Sequence, residues 1–179
     1  YLASLGLTAK DLDVVRLGEN LEVQALEARS IDGMHVTEPH LSQMVAKGNR
    51  LVGPARVFAP GVHYAVLMYG PSLTVKKRDL GLRFMKAYLR GVKKFHEGLT
   101  PRNVDIISRK SKIDPAIIRG MCLPTISADG ALNLRSMLDF QKWAVQKGNL
   151  SRVVGETGGT DMWFAERAAS DLGIAPSAK

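Results

Sequence analysis

Cysteine, aromatic residues and long apolar runs are all scarce in this sequence. Cys122 is the only cysteine among 179 residues, so no disulfide can form within the chain. A free cysteine usually behaves as a small buried apolar residue, and we expect Cys122 to have that role. No stretch approaches the ~18 consecutive apolar residues of a membrane-spanning helix. The sequence therefore predicts neither a disulfide framework nor a transmembrane segment.

The signatures of common catalytic and cofactor sites are also missing. The glycine-containing run Gly155–Gly159 is not followed by Gly-Lys-Ser/Thr, which a phosphate-binding P-loop requires. The sequence has no G-x-S-x-G motif, so the usual signal of a hydrolase nucleophile is absent. His35 and His40 straddle a proline, which does not place two metal ligands on one helix face. We therefore expect no catalytic residue, no metal and no cofactor.

Basic residues outnumber acidic ones. The chain carries 25 Lys and Arg against 17 Asp and Glu, which gives a net charge of +8. Such an excess raises the question of nucleic-acid binding. The basic residues are spread along the chain, however, and aromatic residues make up only 6% of it, without the interleaving that base stacking requires. We expect no nucleic-acid partner, but a solvated basic surface that favours an anionic solute or acidic lipid.

The stretch EARSIDGMHVTEPHLSQMVAK, residues 27–47, carries the clearest local pattern. A turn leads into a short predicted strand, Gly33–Thr37, and a helix is predicted from Pro39 to Lys47. Ligands commonly bind where the carboxyl end of a strand meets a helix N-terminus, and Glu38 lies at that junction. The alternative is a structural role, in which Glu38 or Thr37 only caps the helix.

Predicted strands and helices alternate along much of the chain. Short β-branched or apolar runs predict further strands at Asp13–Leu17, Ala55–Phe58 and Val62–Tyr69, the last buried on both faces. Apolar periodicity and terminal signals predict helices at Leu21–Arg29, Arg78–Glu97, Pro101–Ser108, Pro115–Gly120, Leu134–Lys147 and Asp161–Leu172. This alternation is typical of a parallel sheet covered by helices, so the predicted fold class is α/β.

Several single residues carry expectations of their own. Four side chains are predicted to cap helices: Asn20, Asp114, Asn133 and Thr160. Trp143 is expected in the core or in helix packing, and the tail Ile174–Lys179 is expected to fray. The basic side of the long helix carries Arg83, Lys86, Arg90, Lys93 and Lys94. Solvation is the favoured interpretation of that side, and contact with a transporter or anionic lipid is the alternative.

The segment IDGMHVTEPHLSQMVAKG resembles the I-D-(G/A)-x-x-x-x-E-P signature, with its later glycine, of solute-binding proteins for nitrate-, sulfonate- and taurine-type ABC importers. That family also includes binders of the thiamine pyrimidine precursor. The later stretch YAVLMYGPSLTVKKRDLGLRFMKAYLRGVKKF resembles the family's strand that re-enters the first lobe, followed by its long helix. Together the two stretches extend the resemblance over most of residues 1–150. Many relatives have an aromatic residue where this chain has Thr37.

The resemblance implies a type II periplasmic-binding-protein-like fold, with two lobes built on central sheets flanked by helices. The chain begins with Tyr1, and under this interpretation the N-terminal part of the protein is missing. Residues 1–60 would then be a partial second lobe. Residues 61–179 would be the returning part of the first lobe with the C-terminal helices, and the crossing would lie near Ala59–Val62. A piece of this kind is expected to expose apolar surface when expressed alone.

The resemblance also implies a function. The protein would be the solute-binding component of an ABC importer and would deliver a small organic or anionic nutrient to the permease. It would be exported, and either periplasmic or associated with the membrane through a lipid anchor on the missing N-terminal part. The Glu-Pro position marks Glu38 as a ligand-binding residue, and proximity adds Thr37 beside it and Tyr64 across the hinge.

Two other functions stay open. The first is an enzyme similar to the pyrimidine synthase that shares this fold. That branch uses a cysteine-rich motif, and Cys122 stands alone here. The second is the effector-binding domain of a transcriptional regulator, which requires a helix-turn-helix that this sequence does not contain. Neither alternative has a positive motif, so a non-catalytic binding protein is the favoured prediction.

Overall fold

A computed structural model of the chain describes residues 2–18, 21–59, 61–155 and 159–177. The α-helices are α1 (Leu21–Glu27), α2 (His40–Ala46), α3 (Ala55–Phe58), α4 (Arg78–Phe95), α5 (Pro101–Ser111), α6 (Pro115–Gly120), α7 (Leu134–Gln146) and α8 (Trp163–Asp171). Short 3-10 helices lie at Leu2–Leu5 and Ala9–Asp11, and a π-helix at Ser72–Lys76 precedes α4. Within these residues, no helix has the length and apolar character needed to span a bilayer.

The structure is helical, and the prediction of an α/β fold with central sheets is wrong. Helices make up 52% of the structure, and the described residues contain no strand. Ala55–Phe58, predicted as a strand, is helix α3. The predicted strands Asp13–Leu17, Gly33–Thr37 and Val62–Tyr69 run without a helix, turn or bend. None of the three pairs with another described segment, and a strand without a partner is not part of a sheet.

The segment Val62–Tyr69 is also exposed, although its two apolar faces predicted burial. The exposed fractions are 51% for Val62, 70% for Tyr64 and 83% for Met68. Strand propensity describes how well a side chain fits a pleated, half-buried surface, and it does not supply that surface. The prediction of a buried strand failed because the described fold offers no neighbouring sheet.

The main interface lies between α4 and α8. Leu89 on α4 and Ala168 on α8 are fully buried, and Ala169 lies beside them in the same cluster. Partly buried side chains surround this cluster: Leu82, Met85, Tyr88, Leu172 and Ile174. The small alanine side chains let the helices approach closely. Leu89 and Val92 of α4 are buried, whereas Phe84 is 48% exposed. The apolar side of this helix therefore faces the core only in part.

Part of the predicted basic stripe belongs to this interface as well. Lys86 Nζ lies 2.6 Å from a carboxylate oxygen of Asp171, and Arg167 contacts the other oxygen at 3.0 Å. The side chain of Lys86 is only 28% exposed. Lys86 therefore joins α4 to α8, whereas Arg90 and Lys93 on the same stripe are exposed.

A glycine allows an aromatic cluster to form beside this interface. A Cβ atom on Gly81 of α4 would lie 2.8 Å from Phe164 Cε1, so no larger residue fits there. The Tyr69 hydroxyl donates to the Gly81 carbonyl at 2.8 Å. Its ring meets Phe84 and Phe164 edge to face, with centroids 5.9 and 5.0 Å away. These contacts fix the chain immediately before the π-helix and α4.

A second core joins α5 and α6. Its buried residues are Val104, Ile113, Ile118 and Met121. Thr100 caps α5 through its side-chain oxygen, and Asp114 caps α6 by accepting from the Ala116 amide at 2.6 Å. Both helices also begin with proline at the first position, where no amide donor is needed.

The cap predictions have mixed outcomes. Asp114 and Asn133 are confirmed, since Asn133 accepts from the Ser136 amide at 3.1 Å at the start of α7. The prediction that Thr160 caps the last helix is wrong, because α8 begins at Trp163 with Met162 as its N-cap. The Asn20 cap lies outside the described residues.

Two expectations of burial are wrong. Cys122 is exposed, because it lies just beyond the buried Met121 at the end of the α5–α6 core. Trp143 is 48% exposed and stacks on Phe140, with ring centroids 5.6 Å apart. The core-facing side of α7 is instead occupied by Ala144.

The chain leaves much of its surface uncovered. Its accessible area is 13532 Å², whereas a compact monomer of its mass, 19.5 kDa, is expected to expose about 8,500 Å². The exposed area is thus about 1.6 times the expected value. Two small cores cannot cover all the apolar side chains, and many of these side chains face solvent.

The C-terminal segment is tied down by a buried carboxylate, so residues 174–177 are not frayed as predicted. Asp129 is 8% exposed. It accepts hydrogen bonds from the Ser177 amide at 2.6 Å, the Ser127 hydroxyl at 2.5 Å and the Ala131 amide at 3.0 Å. Burial alone would raise the pKa of Asp129, but the hydrogen bonds outweigh it and hold the pKa well below its usual value.

We expect Asp129→Asn to lower the free energy of unfolding at pH 7 by roughly 1–3 kcal/mol, because the amide loses charge-assisted hydrogen bonds. A carboxyl with a lowered folded pKa stabilises the fold above its unfolded pKa of about 3.9 and loses that contribution as pH falls. The wild type should therefore lose stability from about pH 5 downward, and Asp129→Asn should lose less. Urea unfolding from pH 7 to pH 2 measures both effects.

The matched control is Asp139→Asn. Asp139 is an exposed partner of Lys142, at 3.2 Å, and surface pairs of this kind contribute at most about 1 kcal/mol. If the two variants have the same stability and the same pH profile, Asp129 does not anchor the C-terminal segment.

Candidate functional site

The Glu38 carboxylate accepts hydrogen bonds from two parts of the chain. One oxygen accepts from the Ser42 amide at 3.0 Å, and the other accepts from the Ser42 hydroxyl at 3.0 Å and the Cys122 amide at 3.2 Å. The first two bonds cap the N-terminus of α2. The third reaches the residue after Met121 and connects α2 with the α5–α6 core.

The capping contact differs in detail from the prediction. Pro39 is the N-cap residue and His40 begins the helix, so Glu38 reaches the Ser42 amide from one position before the cap. A negative charge here also complements the positive end of the helix. Glu38 therefore has the structural role that was the alternative to ligand binding. Its role in ligand binding stays a prediction.

Glu38 retains capacity for one further donor. An ionised carboxylate has about four acceptor sites, and three are used by described residues. Glu38 is half-buried, while Thr37 and Cys122 beside it are exposed. An amine or a ring N–H could reach the remaining acceptor site from the solvent side.

The predicted neighbour Tyr64 lies close to this segment, but its contact is with His35. The two ring centroids are 6.0 Å apart and the planes are tilted by 30°. His35 precedes Thr37 by two positions, so the chain after the predicted hinge does approach the Glu-Pro stretch. Tyr64 has no direct contact with Glu38 or Thr37 among the interactions of the described residues.

A separate pocket opens at the other end of α2. It has a volume of about 440 Å³ and is lined by Leu26, Glu27, Arg29, Ile31, Asp32, Lys47 and Asn49. The pocket is an open and mostly polar depression, unlike the enclosed apolar clefts that usually bury a small molecule, although its volume is similar to theirs. Glu38, Thr37 and Tyr64 do not line it, because α2 has seven residues and its two ends are about 10 Å apart.

The pocket is formed by the C-terminal ends of α1 and α2. An ion pair between Glu27 and Lys47 links the two helix ends. Arg29 and Asp32 form no ion pair with any other described residue, and both are exposed. The pocket therefore presents one free cation and one free carboxylate within the described part of the chain.

The backbone at Arg29 has an unusual conformation. At the end of α1 the Ser30 amide donates to the Ala25 carbonyl at 2.9 Å, and the Arg29 amide donates to the Leu26 carbonyl at 3.0 Å. This is a Schellman ending, whose left-handed position is usually glycine. Arg29 occupies that position with φ of 58°.

Helix α2 ends in the same way but with the usual residue. Gly48 takes the left-handed position with φ of 90°, and Asn49 donates to the Met44 carbonyl through both its amide and its side chain. The comparison shows that Arg29 accepts a steric strain that Gly48 avoids. Lys112 has the same conformation at the end of α5, away from the pocket, so the strain at Arg29 does not by itself mark a functional residue.

The pocket residues Arg29 and Asp32 were not predicted from the sequence. Arg29 lies in the predicted helix Leu21–Arg29, and Asp32 lies in the turn before the predicted strand. The available signal was the ending Glu-Ala-Arg-Ser, in which no glycine or asparagine follows the last helical residues. No group of three or more His, Cys, Asp or Glu residues in the described ranges could hold a metal ion.

Comparisons with known proteins do not place the chain in a family. No protein-family model matches it, and neither a curated protein nor a solved structure does. The resemblance of the Glu-Pro stretch therefore depends on its own residues. Function is inferred below from the geometry and chemistry of the site.

We expect Glu38→Gln to lower the free energy of unfolding by roughly 1–2 kcal/mol, because the uncharged amide keeps only part of the three hydrogen bonds. Chemical denaturation at pH 7 measures the change. The control is Glu97→Gln, which removes an exposed pair with Lys94 and should cost at most about 1 kcal/mol. Equal stability of Glu38→Gln and the wild type would exclude the structural role.

Proposed function

We propose that this protein is the solute-binding component of an ABC importer and captures a small organic solute with an anionic group. The observation that carries the proposal is the charged pocket of about 440 Å³ at the ends of α1 and α2. Ile31, Asp32 and Lys47 of its lining lie in the segment Ile31–Gly48 that resembles solute-binding proteins, whereas Arg29 precedes that segment. Export and delivery to a permease rest on that resemblance.

The pocket carries two positive and two negative side chains, Arg29 and Lys47 against Glu27 and Asp32, at two helix C-termini with negative dipole ends. An anionic group of the solute would therefore depend on Arg29. Arg29 offers a planar guanidinium, which can donate two parallel hydrogen bonds to a carboxylate or a similar oxyanion. Lys47 adds a second positive charge on the opposite helix end, although Glu27 shares it. The Asp32 carboxylate can accept from an amine on the same solute.

The helical fold changes how capture would work. Solute-binding proteins with two lobes enclose the ligand by domain closure, and the described chain does not have the central sheets of such lobes. The proposed capture is local, between two helix ends that an ion pair already joins. Glu38, Thr37 and Tyr64 lie at the opposite end of α2, where they stay predicted contacts for an amine or ring N–H.

The test uses Arg29→Gly. Glycine relieves the left-handed strain, so the variant should be more stable than the wild type by roughly 0.5–1 kcal/mol. It removes the free guanidinium, so affinity for an anionic solute should fall by roughly 1.5–3 kcal/mol, the usual value for a hydrogen bond to a charged group. Thermal-shift screening with small carboxylates, sulfonates and amino acids finds the solute, and calorimetric titration measures the affinity.

Lys112→Gly is the matched control. Lys112 is the other non-glycine residue at positive φ in the described chain, 63°, at the end of α5 and away from the pocket. It should gain stability in the same way and bind the solute as the wild type does. If no member of the panel raises the melting temperature of the wild type, or if both variants bind equally well, the pocket is not the solute site.

A further inference from the structure

Residues 62–69, with the sequence VHYAVLMY, form an apolar segment that no other described part of the chain covers. Val66 is 43% exposed and Leu67 45%, in addition to the exposed Val62, Tyr64 and Met68. The segment follows a straight course without helix, turn or bend. Side chains on both sides of the backbone therefore face solvent.

The backbone of this segment is also unpartnered. From Tyr64 to Tyr69, no amide donates to another described residue, and no carbonyl between Val62 and Tyr69 accepts from one. Such a run presents a complete row of donors and acceptors to any strand that aligns with it. The valines and tyrosines at these positions also have high strand propensity.

Both ends of the segment are anchored while its middle is free. At the first end, the Gly61 carbonyl accepts from the Asn133 side chain at 2.7 Å, and the His63 amide donates to the Ser136 hydroxyl at 2.9 Å. At the other end, the Tyr69 hydroxyl is bonded to Gly81. The middle is thus held away from the helices and remains accessible.

The segment differs in charge from the rest of the chain, and this difference limits which partners can bind it. Residues 57–75 contain no Asp, Glu, Lys or Arg, although the chain as a whole has a net charge of +8. Two copies of the chain repel each other over most of their surfaces, but not where these uncharged segments meet. An acidic partner, by contrast, would be attracted to the basic surfaces and not to this segment.

We propose that residues 62–69 become a β-strand by pairing antiparallel with the same residues of a second copy of this chain. Antiparallel pairing of identical segments is two-fold symmetric, so each copy presents the same surface to the other. Eight residues make a strand of about 26 Å. Directly opposite residues share a face of the sheet, so the two-fold axis passes through a residue that faces its own copy. We place Val66 there, opposite Val66 of the second copy.

The chain as a whole has more uncovered area than a standard association would remove. The chain exposes about 5,000 Å² more than a compact monomer of its mass is expected to expose. A standard interface removes about 800 Å² from each partner. The paired strands would cover part of the excess and give the open backbone groups partners. This inference concerns self-association and does not depend on the proposed solute.

Sedimentation velocity of the wild type over a range of protein concentrations tests the proposal, together with hydrogen exchange followed by mass spectrometry. We expect dimers to increase with concentration, and the amides of residues 64–69 to become protected as they do. Higher salt should strengthen the association, because it screens the repulsion between two positively charged copies. Val66→Lys places like charges across the two-fold axis and should weaken the dimer by about tenfold.

Val52→Lys is the control with the same change of charge. Val52 is 69% exposed and lies outside the segment, so its variant should associate as the wild type does. The proposal is overturned if the wild type stays monomeric at all concentrations, or if protection appears elsewhere and not at residues 64–69. Equal association of the two variants, or weaker association at higher salt, would also overturn it.

Discussion

The packing of Leu89 with Ala168 and Ala169 holds together α4, α8 and the segments that pack on them. Leu89 and Ala168 are fully buried, and the alanine side chains of α8 let the helix lie close against α4. Gly130 packs on the same place, where an added Cβ would lie 3.2 Å from Ala165 Cβ and 3.5 Å from Leu89 Cδ2. The Asp129 carboxylate beside it then ties down Ser177. Helix packing, the turn and the C-terminal segment therefore form one unit.

The difference between helices and strands explains why the fold is helical but incompletely covered. A helix satisfies its own backbone groups, whereas a strand requires a neighbour. Helices such as α4 and α5 form wherever the apolar periodicity and caps allow them. The strand-like segments have no described partner, so their apolar side chains stay exposed and the surface area exceeds that of a compact monomer. This is the same feature that makes residues 62–69 available to a second copy.

The two ends of α2 have different chemistry. At the N-terminus, Glu38 is used mainly within the fold, since it caps the helix and holds Cys122. At the C-terminus, Arg29 and Asp32 have no ionic partner in the described chain, and Arg29 accepts a strained backbone. Groups that the fold does not use are the ones available for binding. This contrast is why the proposed solute site lies at the pocket and not at the residue that the sequence pattern had favoured.

The sequence by itself determined the local features: the long helix from Arg78, the caps Asp114 and Asn133, and the absence of catalytic motifs. These depend on residues close to one another in the chain, and so local chemistry decides them. Only the tertiary structure decided whether Val62–Tyr69 joins a sheet, where Cys122 lies, and that Arg29 borders a pocket with Lys47. Those outcomes depend on partners distant in sequence, and a residue pattern specifies the need for such a partner without specifying its presence.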